Sequence, residues 1–364
     1  VRNTAQDCQS GRKSCGRGQG DDGTGSGPVN GNLHIGLTPW LAPLNMDAHV
    51  LASQAERAEA LGFDSFWLPE NHLQADSSDN TMAIPEPMLL LAAVASRTTR
   101  LKLGTVSFLL PVRHPLQAAE QVATLDVLTR GRLILGIGRG FSRPLFRIYG
   151  MDPRHKRALF AEHLQFMRKA WRGESLTMDR GDTFRLSPLP VQRPHPPLWS
   201  AAFGDKALQQ AGLLQLPYLA APITSFSRLR RNLEQHRAAA LQAGVKAPDA
   251  IPVMRTLFIS HKRSEQWQVR DMLCRQTRRL MRSRMPWNKD MEAVDSWALV
   301  GEPAEVAEKV SLYREQLGMT HLVVTRPTRF ESDRIEPRLL ENSLMHLAQL
   351  AERWRTTAPA AVDT

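Results

Sequence analysis

The sequence predicts an α/β protein folded as a single (β/α)8 TIM barrel with insertions after the fourth and seventh strands. Three observations carry that expectation. From residue 33 onward, strand-like and helix-like segments alternate with turn residues between them, eight such pairs can be counted, and no domain-sized break separates them. With 364 residues, 42% of them hydrophobic and 23% charged, the chain has the composition of a globular protein with a sizeable core. A doubly wound sheet with a second domain is the alternative.

The first strand reads LHIGLTP (33–39). The helix after it, Asp47 to Leu61, places Val50, Leu51, Gln54, Ala55, Ala58 and Leu61 on one face and stops at Gly62. FDSFWLP (63–69) is the second strand, and a Leu/Ala-rich helix at about 86–97 leads to the third, RLKLGTVSFLL. A helix at 115–129 precedes the fourth strand, RLILGIG, and HKRALFAEHLQFMRKAW is the fourth helix. Residues 174–196, with a hairpin-like SLTMDRGDTFRL and a proline-dense end, form the first excursion. Then come strand PLWSAAF (197–203), helix 205–215, strand PYLAAP, helix 226–243 and strand IPVMRTLFIS. A long helical and irregular stretch, 264–300, is the second excursion. A helix opened by Glu302 and Pro303, the strand THLVVT and a helix near 335–354 complete the series.

Residues 1–32 predict a disordered tail, 33–355 the barrel and 356–364 a flexible C-terminus. The net charge of +11 is scattered through amphipathic segments, which argues against nucleic acid as a partner, and the densest run, RQTRRLMRSRM (275–285), reads as solvated surface. Cys8 and Cys15 lie in the tail and Cys274 stands alone, which forms neither a disulfide framework nor a metal-ligand spacing and fits a cytoplasmic location. No apolar run reaches the length of a membrane span, and residues 1–30 lack the apolar centre of a signal peptide. No metal is expected.

The segment GRLILGIGRGFSR (131–143) invites comparison with a dinucleotide-binding turn, but that turn needs a third glycine at position 141, which is Phe141. The spacing is Gly136, Gly138, Gly140, and Pro144 with the following turn predicts that no helix starts there. What remains is a backbone that can lie close to a flat ligand, with Arg139 beside it.

Together with LKLGTVSFLLPVRHP and the segment from AAEQVATLDVLTRGRLILGIGRGFSRP to HKRALFAE, these residues resemble the bacterial luciferase-like flavin monooxygenases, over about residues 33–350. FWLPENH and VGEPAEVAEKV are further marks of the family. The resemblance implies a barrel that binds reduced FMN (FMNH2), reacts it with O2 at the flavin C4a carbon and transfers one oxygen atom to a small organic substrate. A dry pocket is required, because water would release hydrogen peroxide instead. Arg139 and Arg157 match the arginines that approach the flavin phosphate. Gly204 and Ala207 stand where hydroxyl side chains occur in luciferase, at the helix start where the phosphate rests, so the resemblance leaves the phosphate to the backbone amides of Gly204 and Asp205 and to the arginines. Val106 and Ser107 match a dipeptide that forms a non-prolyl cis peptide beneath the flavin ring, although Ser107 reads equally as an ordinary strand hydroxyl.

The largest departure is at the end of the second strand, where luciferase has an acidic residue and two histidines and this chain has Glu70, Asn71 and His72. An amide cannot serve as a general base, so His72 or His114 is the candidate. Each also has a structural reading: His114 as a turn cap, and His72 as a partner of Glu70 or Glu120. Gly138 replaces the reactive cysteine of luciferase, so light emission from aldehydes is not the expected activity. No nicotinamide-binding motif is present, which implies a separate NAD(P)H:flavin reductase; the resemblance also implies a homodimer, and the second excursion matches a segment that acts as a mobile lid. An F420-dependent oxidoreductase of the same fold and a non-catalytic flavin-binding or partner subunit are the alternatives.

Overall fold

The computed structural model describes residues 32–40, 47–72, 84–177, 181–282, 293–327 and 335–356. All but the last residue of the expected tail, and all but the first of the expected flexible C-terminus, lie outside the described residues.

In chain order, β1 (His34–Leu37) precedes α1 (Ala48–Ala60) and β2 (Ser65–Leu68) precedes α2 (Pro87–Arg97). β3 (Lys102–Thr105) resumes as β4 (Phe108–Leu109) before α3 (Pro115–Leu128), and β5 (Leu133–Gly138) leads to a short α4 (Arg143–Ile148) and to α5 (Lys156–Trp171). An antiparallel pair, β6 (Leu176–Thr177) and β7 (Thr183–Phe184), occupies the first excursion. After it come β8 (Leu198–Ala201), α6 (Asp205–Leu213), β9 (Tyr218–Leu219), α7 (Phe226–Gln242), β10 (Pro252–Ile259) and α8 (Arg263–Arg282). β11 (Ala298–Gly301), α9 (Pro303–Leu317), β12 (His321–Thr325) and α10 (Pro337–Thr356) finish the chain.

The principal sheet is parallel and curled, with the order β11-β10-β12-β1-β2-β3-β5-β8-β9, and β9 lies beside β10. Most of its strands are separated by helices, as parallel pairing requires. Three expectations are corrected. β11 lies within the stretch read as helical and irregular, and pairs with the second half of β10 through Thr256–Ala298 to Ile259–Gly301. A helix does start after the glycine segment: Pro144 sits in the first turn of α4, where its missing N–H is no loss, and Ser142 Oγ accepts from Leu145 N. On α1 the buried face is Leu51, Ala52, Ala55 and Ala58, and Val50 is exposed.

β3 and β4 both pair with β5, but Leu103 faces Leu133 while Phe108 faces Ile137. Five steps along one strand therefore match four along the other, which is a bulge of one residue. It falls at Val106–Ser107, whose peptide bond is cis.

Side chains alternate across the sheet. Ile35, Leu37, Phe66, Leu68, Leu103 and Leu135 join the large core cluster shared with the helices. Trp67, Ile134, Trp199, Leu219, Met254 and Val323 form a separate cluster on the concave side. Trp67 fills that space: it is fully buried, stacks on Trp199 with centroids 4.7 Å apart, and donates from Nε1 to Ser65 Oγ (2.8 Å). Room for it comes from glycines on both flanking strands, since a Cβ on Gly104 would stand 2.1 Å from the indole and one on Gly36 would stand 2.6 Å from it.

At the N-terminal edge of the sheet, His321 stacks on His34 (4.7 Å) and meets Trp199 edge-on. Burial, then the neighbouring His34 and Lys102, push the His321 pKa down from 6.5 to about 4. The unfolded chain therefore binds a proton between pH 6.5 and 4 that the folded chain refuses. Stability is full above pH 6.5, falls by about 3 kcal/mol as the pH drops to 4, and changes no further from this source below that. Burial lowers His195 and His236 as well, so they act in the same direction. Urea unfolding at pH 7.5 and 4.5 is expected to lose less stability in His321→Asn than in the parent; equal losses would exclude His321 as a source.

Candidate active site

The carboxyl ends of β2, β4, β5, β8 and β9 surround a cavity of about 300 Å³. This is where a parallel α/β sheet places ligands, because loops of independent sequence converge there on a rigid frame.

One end of the cavity is cationic. Arg139 follows β5 directly and is half-buried, and its Nη1 donates to Gln210 Oε1 on α6 (3.2 Å). Lys156, the first residue of α5, donates to the Gly140 carbonyl (3.1 Å). Neither forms an ion pair with a carboxylate among the described residues. Burial first, and then a neighbouring cation, hold both below their ordinary pKa: Arg157 acts on Arg139, and Arg139 on Lys156. Two half-buried cations that repel each other without an anion between them are the chemistry of an anion site.

Arg157 is exposed and does not line the cavity; it lies close enough to act on Arg139, and its carbonyl accepts from Gln210 Nε2 (2.9 Å). Sequence reasoning singled out Arg157 and missed Lys156, one position earlier, because the rotation of α5 decides which of two adjacent basic residues turns inward. Gly204 (φ 78°) is the N-cap of α6 and Asp205 its first residue. Both are exposed, and the cavity is lined instead by Ala201 and Phe203 from that segment. The Asp205 carboxylate lies 3.7 Å from Arg228.

Val106 and Ser107 line the cavity, as does Gly138. The space above Gly138 was expected to admit a flat ring. In the structure it is taken by Ser107, whose Oγ would stand 2.2 Å from a Cβ at position 138. Here a thiol-bearing side chain would collide with the neighbouring strand. Gly140 is required for another reason, its positive φ of 68°.

The other end of the cavity is built on Glu70, which is fully buried. Its Oε2 accepts from the Leu109 N–H (3.0 Å), and its Oε1 accepts from Arg113 Nη1 (2.7 Å) and pairs with His72 Nε2 (2.6 Å). Arg113 also donates to the Leu109 carbonyl and lies over the Phe108 ring at 4.0 Å. A buried charge is tolerated only when paired and hydrogen-bonded, and Glu70 has both. Glu70 is thus the tie between the end of β2 and the turn after β4. Asn71 lines the cavity and its backbone N–H donates to the Ile84 carbonyl (3.0 Å). Of the two histidine candidates, only His72 lines the cavity, with 6% of its side chain exposed. His114 is exposed, lies outside the cavity lining and caps α3, its Nδ1 accepting from Leu116 N (3.3 Å), which is the structural one of its two expected readings.

Between these ends the wall is apolar, with Leu109, Phe141, Leu145, Phe203, Leu219 and Met254. The expected lid is described only in part, since residues 283–292 lie outside the described residues. Among the described residues there is no cluster of His, Cys, Asp and Glu suited to a metal ion, and no helix is long and apolar enough to cross a membrane.

Comparison with known proteins matches residues 20–321 to a family model described as luciferase-like monooxygenase. Limonene 1,2-monooxygenase of Rhodococcus erythropolis is 33% identical over 144 residues, covering 39% of this chain and 36% of that protein. The oxygenase component of the flavin-dependent trigonelline monooxygenase of Acinetobacter baylyi is 30% identical over 152 residues, 40% of each. The chain spans less than half the length of these curated relatives. Among solved structures, the oxygenating constituent of 3,6-diketocamphane monooxygenase from Pseudomonas putida, in complex with FMN, superposes with a TM-score of 0.70 at 21% identity, covering 88% of this chain and 98% of that one. At that identity the likeness establishes the fold.

Proposed function

This chain belongs to the luciferase-like monooxygenase family, and from that premise we propose that it is the oxygenase of a two-component system that uses reduced FMN and O2 to oxygenate a small organic substrate. A separate NAD(P)H:flavin reductase supplies the reduced flavin in this reading. The observation that carries it is the cationic end of the cavity, where Arg139 and Lys156 lack a carboxylate partner among the described residues. A terminal phosphate supplies the missing charge, and the apolar wall beyond suits a flat ring.

When bound, reduced FMN supplies the electrons that activate O2. The chain's own residues have other tasks. Arg139 and Lys156 hold the phosphate, with Arg157 adding charge from outside, and the backbone N–H groups of Gly204 and Asp205, outside the cavity lining at the start of α6, face the phosphate only if it extends past Ala201 and Phe203. Val106 and Ser107 position the ring, with Gly138 making room for Ser107, and Phe141, Phe203 and Met254 exclude water. His72, held by Glu70, supplies the imidazole of the cavity wall, and Asn71 beside it can orient a ligand by hydrogen bonding.

The same proposal includes the closed eight-stranded barrel, with β9 and β10 side by side as its seam. It includes a homodimer, which the resemblance to the family implies. It also includes a cytoplasmic location, from the sparse cysteine usage. Anaerobic titration with reduced FMN tests the reading: saturable binding is expected, and its absence, or tighter binding of F420 in the same assay, would replace it.

A further inference from the structure

Both ring nitrogens of His72 are engaged. Nε2 faces the Glu70 carboxylate at 2.6 Å, and Nδ1 faces the hydroxyl of Tyr149, just past the end of α4, at 3.3 Å. The two rings meet edge to face, with centroids 5.7 Å apart. His72 has 6% of its side chain exposed and Glu70 has none, whereas Tyr149 is 45% exposed. Among the described residues, the charged groups joined to this hydrogen-bonded set are Arg113, which bonds Glu70, and Glu86, 3.7 Å from Arg113. The Nε2 side of the imidazole is thus closed by a buried ion pair, and the Nδ1 side meets the hydroxyl of a half-exposed tyrosine.

We propose that Tyr149 is the proton port of His72: a positioning residue whose hydroxyl connects a buried cavity-wall imidazole to solvent. A phenol can donate or accept, so it matches either state of the ring. When His72 gains a proton, the O–H bond of Tyr149 breaks as an N–H bond forms at Nδ1, and the phenol oxygen regains a proton from hydronium. The net change is one solvent proton stored on the imidazole, flanked by Glu70. Release reverses each step.

The port matters for catalysis only if the flavin reading holds, but it can be tested in the ligand-free protein. With histidines labelled in 15N, the His72 ring signals, assigned by their loss in His72→Gln, are followed through their titration. In the parent protein protonated and neutral rings should interchange fast enough to give one averaged signal. Tyr149→Phe keeps the ring and removes the hydroxyl, and is expected to slow the interchange at least tenfold, so that the averaged signal broadens or splits. Tyr149→Gln, which keeps a group able to donate and accept, is expected to restore much of the rate and serves as an independent variant. A purely structural role predicts the opposite sign, because loosening this wall would admit water and leave exchange as fast or faster. Unchanged or faster exchange in Tyr149→Phe overturns the proposal, whatever the protein does with FMN.

Discussion

Glu70→Ala is expected to lower the unfolding free energy by about 3–5 kcal/mol, the range for removing one partner of a buried ion pair. Arg113, 9% exposed, would keep its charge and lose its nearest carboxylate. Glu86 cannot substitute, because it is 45% exposed and lies 3.7 Å from a different nitrogen of Arg113. The Leu109 N–H would lose its acceptor as well, an unmade bond that costs about 1–3 kcal/mol and overlaps the first figure. Glu70→Gln keeps the shape and one acceptor oxygen, and should fall between the parent and the alanine variant. Urea denaturation with linear extrapolation measures both, and a loss below about 1 kcal/mol for Glu70→Ala would mean that the pair is not structural.

Trp67→Ala is expected to lose a similar amount, about 3–5 kcal/mol, by opening a cavity in the concave cluster. Its stack on Trp199 contributes part of that, about 0.5–1.5 kcal/mol. The argument from glycine adds a sharper expectation. Gly104→Ala alone should destabilise by about 1–3 kcal/mol, because the new methyl meets a rigid indole rather than a flexible side-chain end. In the Trp67→Ala background the same substitution should be close to neutral. Additive losses in that double-mutant cycle would show that the glycine is required for some other reason.

The sequence made the repeating architecture legible because its signals are local. Periodicity located the helices, and runs such as LILGIG located buried strands. β11 escaped because four buried residues, ALVG, show no alternation and follow a long helix. α4 was excluded on the strength of Pro144, although a proline forbidden inside a helix is favoured in its first turn. For the site, the ends of β2 and β5 that the sequence singled out both line the cavity, and the resemblance anticipated the cis peptide at Val106–Ser107. Arg113, Tyr149, Lys156 and Gln210 were missed, since each enters through a contact made across the fold. Gln210 is the clearest case, joining Arg139 to the Arg157 backbone from a helix about 70 residues away. The reason for Gly138 was likewise out of reach, because its constraint is a serine on the adjacent strand.

Binding of FMN and riboflavin, which differ by the phosphate alone, to the parent protein and to Arg139→Ala is the most direct measurement of what this cavity is for. A charge-assisted hydrogen bond contributes about 1.5–3 kcal/mol, or roughly 10- to 100-fold in Kd. The parent should bind FMN more tightly than riboflavin by at least that factor, and Arg139→Ala should remove most of the difference while leaving riboflavin affinity unchanged. Equal affinity for the two flavins in the parent, or an FMN preference untouched by Arg139→Ala, would contradict a phosphate site at Arg139 and with it the flavin-dependent activity proposed for this chain.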